Sequence, residues 1–446
     1  MSRLLVEGAT LLGLTSRDDI RVAADLYAEN GVVRAAGQEA ARLAAESAGV
    51  TRLDARGRWL LPGFVQAHLH LCQTLLRNGP DELELLPWLR THVWPGEAAH
   101  DAATMAVSAR LGLSECLASG VTAVLDMGTV RHSAELFQAA ALSGIRYRGG
   151  NVLMDDPETT PANLRAPAEE GLAETERLRA AFHGKENGRL GVAVQPRFAV
   201  SCTDRLLRQA AEYAAGHSLV IHTHASENRG EIDLVRKRTG RENIEYLDST
   251  GLLTERTCVA HAVHTSEGDW RLLAEKKTSV AHCPSSNMRL GSGVCPATDL
   301  ARAGVNVALG SDGAACNNSL DPFREMRRAG DLAMTRTLPE RIPAFELLRM
   351  ATWHGARALR LEGPEGLVPG ARADFVILDP EAGWSLPDEW SKEPYGVIVH
   401  SMSRANVLAT VIAGVVRYRA DDPTVGGLKP QPSEVREAVR SLRSRM

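Results

Sequence analysis

The stretch LLPGFVQAHLHLCQTLLRNG, residues 60–79, contains a short apolar run followed by two histidines, His68 and His70. A spacing of two residues places both imidazoles on the same face of an extended strand. Polar residues at a strand end are common, so an isolated His-x-His motif does not by itself indicate a site. What decides its meaning is whether similar residues close other strands of the chain.

Eight apolar runs of similar length alternate with longer amphipathic segments, and each run ends in polar or small residues. The runs are 62–67, 121–127, 145–153, 190–197, 219–224, 257–261, 278–282 and 305–310. Segments between them, such as 100–118 and 204–216, have helical apolar spacing and are rich in Ala, Leu, Arg and Glu. Strands that alternate with helices predict a parallel sheet, and strands that are apolar on both faces favour a closed barrel. The predicted fold class is therefore α/β, with a (β/α)8 TIM barrel over residues 60–364.

The two ends of the chain have a different pattern, with short strands and turn signals. Residues 25–37, DLYAENGVVRAAG, predict a hairpin around Asn30 and Gly31. Strand-like runs return at 373–379 and at 407–419, the second broken by Ala413 and Gly414. We predict that residues 1–59 and 365–428 together form one small β-sandwich domain. Residues 429–446 are predicted to form a polar C-terminal helix.

Composition narrows the functional class. The 446 residues are 44% hydrophobic and 24% charged with a net charge of −4, so no basic surface for nucleic acid is predicted. The seven cysteines include no C-x-x-C pair and indicate reduced thiols. No signal peptide and no apolar stretch long enough for a membrane helix is evident. We expect a cytoplasmic protein without nucleic-acid or membrane partners, and the sequence leaves open whether it forms a homo-oligomer.

Residues that can bind a metal or move a proton close several of the predicted strands. They are His68, His70, His222, His224, Glu227, His261, His264, His282 and Asp312. The carboxyl ends of barrel strands meet at one face, so we expect these side chains to converge. Imidazoles with one carboxylate indicate a divalent metal that keeps an open position and activates water. Glu227, His261 and Asp312 are the candidates for proton transfer.

Together with HCPSSNMRLGSGVCP (282–296) and LGSDGAACNNS (309–319), these motifs resemble the amidohydrolase superfamily. The resemblance is to its branch of aminopurine deaminases and s-triazine hydrolases, and it covers nearly the whole chain. It implies the barrel with a composite β-sandwich. The metal ligands that it implies are His68, His70, His224 and Asp312.

The resemblance also implies a division of catalytic roles. Glu227 would carry a proton to a ring nitrogen of the substrate, and His261 would hydrogen-bond the attacking water. Two-metal members of the superfamily bridge their metals with a modified Lys at the end of the fourth strand. Here that segment reads GVAVQPRFAVSC (191–202) and has no Lys. We therefore expect one divalent metal ion, zinc in the first instance, with iron as the alternative.

Substrate-binding residues are suggested by similarity to guanine deaminases, in which a Gln and the Arg of a P-R-F segment grip the purine. The predicted substrate-binding residues are Gln73, Arg197, Trp88 and His282. An Arg donor fork suits a purine carbonyl and ring nitrogen. Residues 85–97 and 310–326 resemble adenosine-type and triazine-type members at least as much. Members that hold ribose often place a Glu just before the Trp, whereas this chain has Pro87 there.

The sequence thus predicts a metal-dependent hydrolytic deaminase of an amino-substituted nitrogen heterocycle that releases ammonia. An oxopurine such as guanine, or a related pterin, is the first predicted substrate. The alternatives are an adenosine-type deaminase acting on 5′-deoxyadenosine or S-adenosylhomocysteine, and an s-triazine chloro- or aminohydrolase. A barrel that has lost catalysis and serves as a binding subunit is a third class. The presence of ligand and proton-transfer residues together speaks against that class.

Overall fold

The structure is a computed structural model and describes residues 2–80, 82–336, 341–383, 394–422 and 428–446. The strands are β1 (Arg3–Leu12), β2 (Ile20–Glu29), β3 (Val32–Ala36), β4 (Thr51–Asp54), β5 (Trp59–Pro62), β6 (Phe64–His70), β7 (Val121–Asp126), β8 (Arg146–Gly149), β9 (Val152–Leu153), β10 (Leu190–Pro196), β11 (Val220–Ala225), β12 (Thr257–His261), β13 (Ser279–His282), β14 (Val307–Leu309), β15 (Asp312–Gly313), β16 (Phe375–Leu378), β17 (Val407–Ile412) and β18 (Val415–Arg419).

The α-helices lie mostly between the strands. They are α1 (Gln38–Ala45), α2 (Leu85–Trp88), α3 (Trp94–Ala98), α4 (Ala102–Ala118), α5 (Ser133–Ser143), α6 (Ala168–Phe182), α7 (Asp204–Gly216), α8 (Arg229–Thr239), α9 (Asn243–Ser249), α10 (Glu267–Glu275), α11 (Pro284–Arg289), α12 (Ala297–Arg302), α13 (Ala314–Asn317), α14 (Pro322–Ala333), α15 (Ala344–Met350), α16 (Trp353–Ala358), α17 (Pro394–His400) and α18 (Pro432–Arg443). No helix in these described parts of the chain is long and apolar enough to cross a membrane.

The barrel is a closed parallel sheet, as predicted. Its strands follow the order β6, β7, β8, β10, β11, β12, β13 and β14, and β15 pairs with β6 through Asp312 and Leu69. The third and eighth predicted strands are each interrupted, since β8 is followed by the short β9, and β14 by β15. The (β/α)8 barrel is confirmed.

The helix α7 shows why the intervening segments are helical. The hydroxyl of Thr203 caps the first turn by accepting a hydrogen bond from the backbone N–H of Leu206, at 3.2 Å. The buried residues of this helix, Leu206, Leu207, Ala210, Ala211 and Ala214, recur at helical spacing. This stripe packs the helix on β10, and the strand ends are thereby held at the barrel mouth.

Both ends of the chain contribute to a second sheet, with the order β18-β17-β16-β5-β1-β2-β3 and β4 beside β1. The β2–β3 hairpin turns at Asn30 and Gly31, whose φ angles of 53° and 82° lie in the left-handed region. This is the Asn-Gly turn that the sequence predicts. The backbone N–H of Val33 donates to the carbonyl of Ala371, so the outer strand β3 contacts the segment that leads into β16. The small β domain formed from the two termini is confirmed.

Two element boundaries differ from the predicted ones. Strand β5 (Trp59–Pro62) pairs with β1 and β16, so residues 60–62 belong to the terminal sheet rather than to the barrel. Strand β6 continues through His70, and both histidines of the opening motif therefore lie within the strand. The division into domains at residues 59, 364 and 428 stays a prediction. In the C-terminal segment, α18 packs on α4, and Arg110 Nη1 donates to Glu434 Oε1 at 2.6 Å.

Candidate active site

Five predicted site residues meet at the carboxyl ends of the barrel strands. They are His68 and His70 of β6, His224 of β11, His261 of β12 and Asp312 of β15. Asp312 Oδ1 lies 3.2 Å from His68 Nε2 and 3.3 Å from His70 Nε2. The Nε2 atoms of His70 and His224 are 3.3 Å apart. The structure thus gathers three imidazoles and a carboxylate around one point, with His261 beside them.

The backbone at two of these positions is unusual. His261 has a φ of 77° and Asp312 a φ of 59°, both in the left-handed region that non-glycine residues rarely adopt. Such residues cost about 1–3 kcal/mol each and cluster at functional sites. His261 Nε2 and Asp312 Oδ2 lie 3.9 Å apart. The local strain at two strand ends therefore coincides with the side-chain cluster.

Hydrogen bonds on the far side of each ring orient the imidazoles. His224 Nδ1 is 2.8 Å from the carbonyl oxygen of Arg197, and His261 Nδ1 is 2.8 Å from Asn287 Oδ1. Because these acceptors require an N–H at Nδ1, the Nε2 atom of each ring faces the cluster. His68 Nδ1 contacts His222 Nε2 at 2.9 Å, which gives His222 a supporting position.

The donor set fits a catalytic divalent metal. His68 Nε2 and His261 Nε2 are buried, and neither makes a hydrogen bond of favourable geometry to any described residue. Within the described residues, His68, His224, His261 and Asp312 each offer a ligand atom within 4.8 Å of the others. Imidazole nitrogens with one carboxylate are the ligands of open catalytic zinc sites. The additional hydrogen bonds to the rings are the support that such sites require.

The ionisation states also suit a metal. Burial lowers the pKa of His70 and of His224 well below the ordinary value, so both rings are neutral and their lone pairs are free to coordinate. Burial alone would raise the pKa of Asp312, but His68, His261 and His70 outweigh it and hold that pKa well below its usual range. The carboxylate is therefore ionised.

Glu227 lies next to this cluster. Its Oε2 atom is 3.5 Å from His261 Nε2, and Ser292 Oγ donates to its Oε1 at 3.4 Å. Burial raises the pKa of Glu227 to about 7, with His261 opposing the shift and Asp312 adding to it. A carboxyl with a pKa near neutrality can both give and take a proton at physiological pH.

The cluster opens into a cleft with apolar walls. The apolar lining residues are Leu85, Trp88, Leu89, Phe198 and Leu290. Gln73, Arg197 and Trp88, three of the four predicted substrate-binding residues, line this cleft. His282 is not among the lining residues, and burial lowers its pKa to about 3. A substrate-binding role for His282 stays a prediction.

Arg197 has a partner that the sequence did not reveal. Its Nη1 donates to Glu97 Oε2 at 2.6 Å and its Nη2 donates to Glu97 Oε1 at 3.1 Å. Gln73 Nε2 donates to the same Oε1 at 2.9 Å, and all three side chains are buried. We call this group the Gln73–Glu97–Arg197 network. The Arg197 guanidinium thus forms an ion pair with the Glu97 carboxylate of α3.

Three further residues that the sequence did not single out lie in the segment after β13. Ser286 Oγ donates to Asp312 Oδ2 at 2.5 Å, Asn287 orients His261, and Ser292 contacts Glu227. All three belong to the quoted motif 282–296, so the signal was in the sequence, but nothing in their spacing showed which ligand each one supports.

Comparisons with known proteins place the chain in a family. Residues 59–417 match the family model described as the amidohydrolase family. The chain belongs to the amidohydrolase family. The amidohydrolase is 38% identical, over 372 residues, to 5′-deoxyadenosine deaminase of Methanothermobacter thermautotrophicus, with 83% of this chain and 84% of that relative covered.

Two solved structures are similar over nearly their full length. An adenosine deaminase from Xanthomonas campestris with bound zinc is 28% identical, with a TM-score of 0.87 and coverage of 100% of this chain and 98% of that one. Guanine deaminase of E. coli is 25% identical, with a TM-score of 0.84 and coverage of 94% and 100%. These matches confirm the predicted family and fold, and they identify the protein as a hydrolytic deaminase of a metal-dependent family.

Proposed function

We propose that this amidohydrolase removes the 6-amino group of an adenine-type nucleoside such as 5′-deoxyadenosine or S-adenosylhomocysteine. The structural observation that carries the proposal is the ion pair of Arg197 with Glu97, because a guanidinium neutralised by a buried carboxylate is a weaker ligand for a purine carbonyl. The 38% identical relative is a 5′-deoxyadenosine deaminase, which supports the same choice. The order of the two substrate classes predicted from the sequence is thereby reversed.

One divalent metal ion would be held by His68, His70, His224 and Asp312. Zinc is the first candidate and iron the second, and either would supply a water molecule activated at neutral pH. Strand β10 ends at Pro196 and is followed by Arg197, so the position of the bridging Lys of two-metal members has no Lys. This absence supports a single metal.

The protein side chains account for the proton transfers. Glu227 takes a proton from the attacking water and delivers it to the purine ring nitrogen next to the amino-bearing carbon. His261 faces both Glu227 and Asp312 through Nε2 and can hold the attacking water by a hydrogen bond. The water oxygen bonds to the amino-bearing carbon, and the remaining hydroxyl proton then passes to the amino group. The carbon–nitrogen bond breaks, ammonia leaves and the carbon–oxygen bond becomes a carbonyl.

The cleft walls suit a flat base with a weakly polar sugar. Leu85, Trp88, Leu89 and Leu290 present apolar surface. In the described part of the chain, the carboxylates that line the cleft are Glu227 and Asp312, and both belong to the reaction centre. No further acid is therefore available there for the ribose hydroxyls, and we expect 2′,5′-dideoxyadenosine to be deaminated nearly as fast as 5′-deoxyadenosine.

An oxopurine such as guanine is the second candidate substrate, because the cationic Arg197 and the amide of Gln73 both line the cleft. Burial would lower the pKa of Arg197, but Glu97 outweighs it and raises that pKa, so the guanidinium is charged whenever substrate binds. An s-triazine remains the third substrate class to test.

A substrate screen separates these candidates. Ammonia release would be measured with 5′-deoxyadenosine, S-adenosylhomocysteine, guanine, 8-oxoguanine, isoxanthopterin and melamine, using Glu227→Gln prepared in parallel to exclude a contaminating deaminase. We expect the highest kcat/KM with an adenine-type nucleoside. A higher value with guanine, 8-oxoguanine or isoxanthopterin would overturn the nucleoside assignment and leave the deaminase chemistry intact.

A further inference from the structure

A second cavity lies at the end of the barrel opposite to the active site. Its volume is about 750 Å³, within the range typical of small-molecule sites. One wall comes from the amino-terminal ends of β8 and β10, with Arg146, Arg148 and Arg189. The other wall comes from the terminal sheet, through the turn at Asn30 and the turn at Ala413. The cavity thus lies between the barrel and the small β domain.

The cavity is rich in positive charge. The arginines that line it are Arg146, Arg148, Arg189, Arg360 and Arg372. Arg146 and Arg372 share a single carboxylate, Asp374. Glu186 pairs with Arg189, and Glu255 with Arg360. Glu362 also lines the cavity and attracts Arg148 electrostatically, although among the described residues the two side chains are not within ion-pair distance. The guanidinium groups therefore outnumber the carboxylates that pair with them.

Arg148 is the least compensated of these cations. Among the described residues it has no carboxylate partner, and only its Nη1 is hydrogen-bonded, to the carbonyl oxygens of Tyr147 at 3.1 Å and Arg189 at 3.2 Å. Burial, together with Arg146 and Arg372, lowers the pKa of Arg148 to about 10, and Glu362 opposes this shift only in part. Its Nε and Nη2 donors have no protein acceptor in the described residues, and the buried Nε of Arg189 has none either.

A glycine makes room for this guanidinium. Gly191 of β10 pairs with Arg148 of β8 across the sheet. A Cβ atom at Gly191 would lie 2.8 Å from Arg148 Cδ and 2.8 Å from its Nη1, closer than real contacts allow. The Arg148 side chain therefore occupies space that a side chain at position 191 would fill.

We propose that this cavity binds a small molecule through a phosphate group, held by Arg148 with its neighbouring arginines. Planar guanidinium donors match the oxygens of a phosphate, and a doubly charged anion suits a site where two cations share one carboxylate. Because both domains line the cavity, the bound anion links them and stabilises the folded state by mass action. This site is independent of the deaminase reaction.

The test measures thermal unfolding with increasing inorganic phosphate, and separately with glucose 6-phosphate, at constant ionic strength maintained with sodium chloride. The proteins compared are wild type and the variants Arg148→Met and Arg208→Met. Arg208 is an exposed arginine of α7 outside the cavity, so its variant controls for general anion effects. We expect wild type and Arg208→Met to show a saturable rise in Tm, and Arg148→Met to bind about tenfold more weakly or worse. The relative affinities of the two probes distinguish free phosphate from a phosphorylated metabolite.

Two controls separate phosphate binding in this cavity from a folding defect and from binding at the metal. Arg148→Met should fold, with an unchanged or higher Tm without phosphate, and should keep its deaminase activity, because it removes a desolvated cation far from the cleft. His68→Ala should retain the phosphate effect, which shows that the anion is not bound at the metal. The proposal is overturned if wild type shows no saturable phosphate effect, if Arg148→Met keeps the full effect, or if His68→Ala loses it.

Discussion

Glu227 lies three residues after His224, and its buried carboxyl contacts His261 and Ser292. The substitution Glu227→Gln keeps the shape of the side chain and removes its ability to carry a proton. We expect kcat to fall by about 10²-fold or more, as is typical when a general acid–base is lost, while the metal content stays unchanged. Steady-state ammonia release together with metal analysis of the same sample checks this.

A matched control is Glu325→Gln, since Glu325 is a second buried carboxyl whose pKa burial raises to about 7. It does not line the cleft, so this variant should keep most of its turnover. Near-normal turnover in Glu227→Gln would remove that residue from the mechanism.

The buried carboxyl of Glu325 should also make the free energy of unfolding depend on pH. It accepts hydrogen bonds from the Ser285 backbone N–H at 3.1 Å and from Asn317 Nδ2 at 2.9 Å. Burial raises its folded pKa from the unfolded value of about 4.3 to about 7, so the folded state binds this proton more tightly. The associated stabilisation is full below about pH 4 and is lost as the pH rises to about 7.

The amide of Glu325→Gln is neutral at every pH and does not undergo this loss. The free energy of unfolding of the variant relative to wild type should therefore increase by about 1–3 kcal/mol between pH 5 and pH 8. Urea unfolding at the two pH values measures the difference. A constant difference would show that Glu325 is already ionised in the folded protein at pH 5.

The Gln73–Glu97–Arg197 network joins α3 to the end of β10. Removing one member of a buried ion pair leaves the other without compensation, and such changes cost about 3–5 kcal/mol. We expect this cost for Arg197→Met, and a smaller cost for the double variant Glu97→Gln/Arg197→Met than for the two single changes added together. Denaturant unfolding of the four proteins gives the coupling energy.

A surface pair provides the control for this cycle. Arg205 and Glu169 form an exposed ion pair, with Arg205 Nη1 and Glu169 Oε1 2.6 Å apart, and Arg205→Met should lower the free energy of unfolding by less than about 1 kcal/mol.

The double variant Glu97→Gln/Arg197→Met also tests the substrate assignment. It should deaminate 5′-deoxyadenosine with a kcat/KM within about tenfold of that of wild type. If the guanidinium instead binds an oxopurine substrate, the kcat/KM of the double variant for that oxopurine should fall by about 10².

The proposed metal ion would link strands from opposite sides of the barrel. His68 on β6 and His224 on β11 are held by strands that are not neighbours in the sheet. We expect about one equivalent of metal per chain, and a lower Tm after chelation that zinc restores, because only the folded protein presents the site. His68→Ala should bind little metal and should be insensitive to chelator.

Elemental analysis of the purified protein, combined with thermal unfolding before and after chelation, measures both quantities. Two tightly bound metal ions per chain would contradict the single-metal proposal drawn from the missing Lys. An unchanged Tm on complete removal of the metal would show that the ligand cluster is held by the barrel alone.

The barrel, and the face of it that carries the chemistry, were predictable from the amino-acid sequence. Apolar runs that alternate with amphipathic segments can form only a few arrangements, and residues at equivalent strand ends must then lie near one another. His68, His224, His261 and Asp312 were predicted to converge for this reason, and the structure brings them together. The Asn30-Gly31 turn was predictable because it depends on local backbone conformation alone.

The partners of the buried charges could not be predicted from the sequence. Glu97 lies 100 residues from Arg197, and neither local spacing nor composition selects it from the 55 acidic residues. Among the described residues Arg148 has no carboxylate as an ion-pair partner, and the sequence cannot reveal this because it depends on two domains meeting around one cavity. Periodic patterns record which face of an element is buried, whereas the pairing of charges depends on contacts that exist only after the elements have packed.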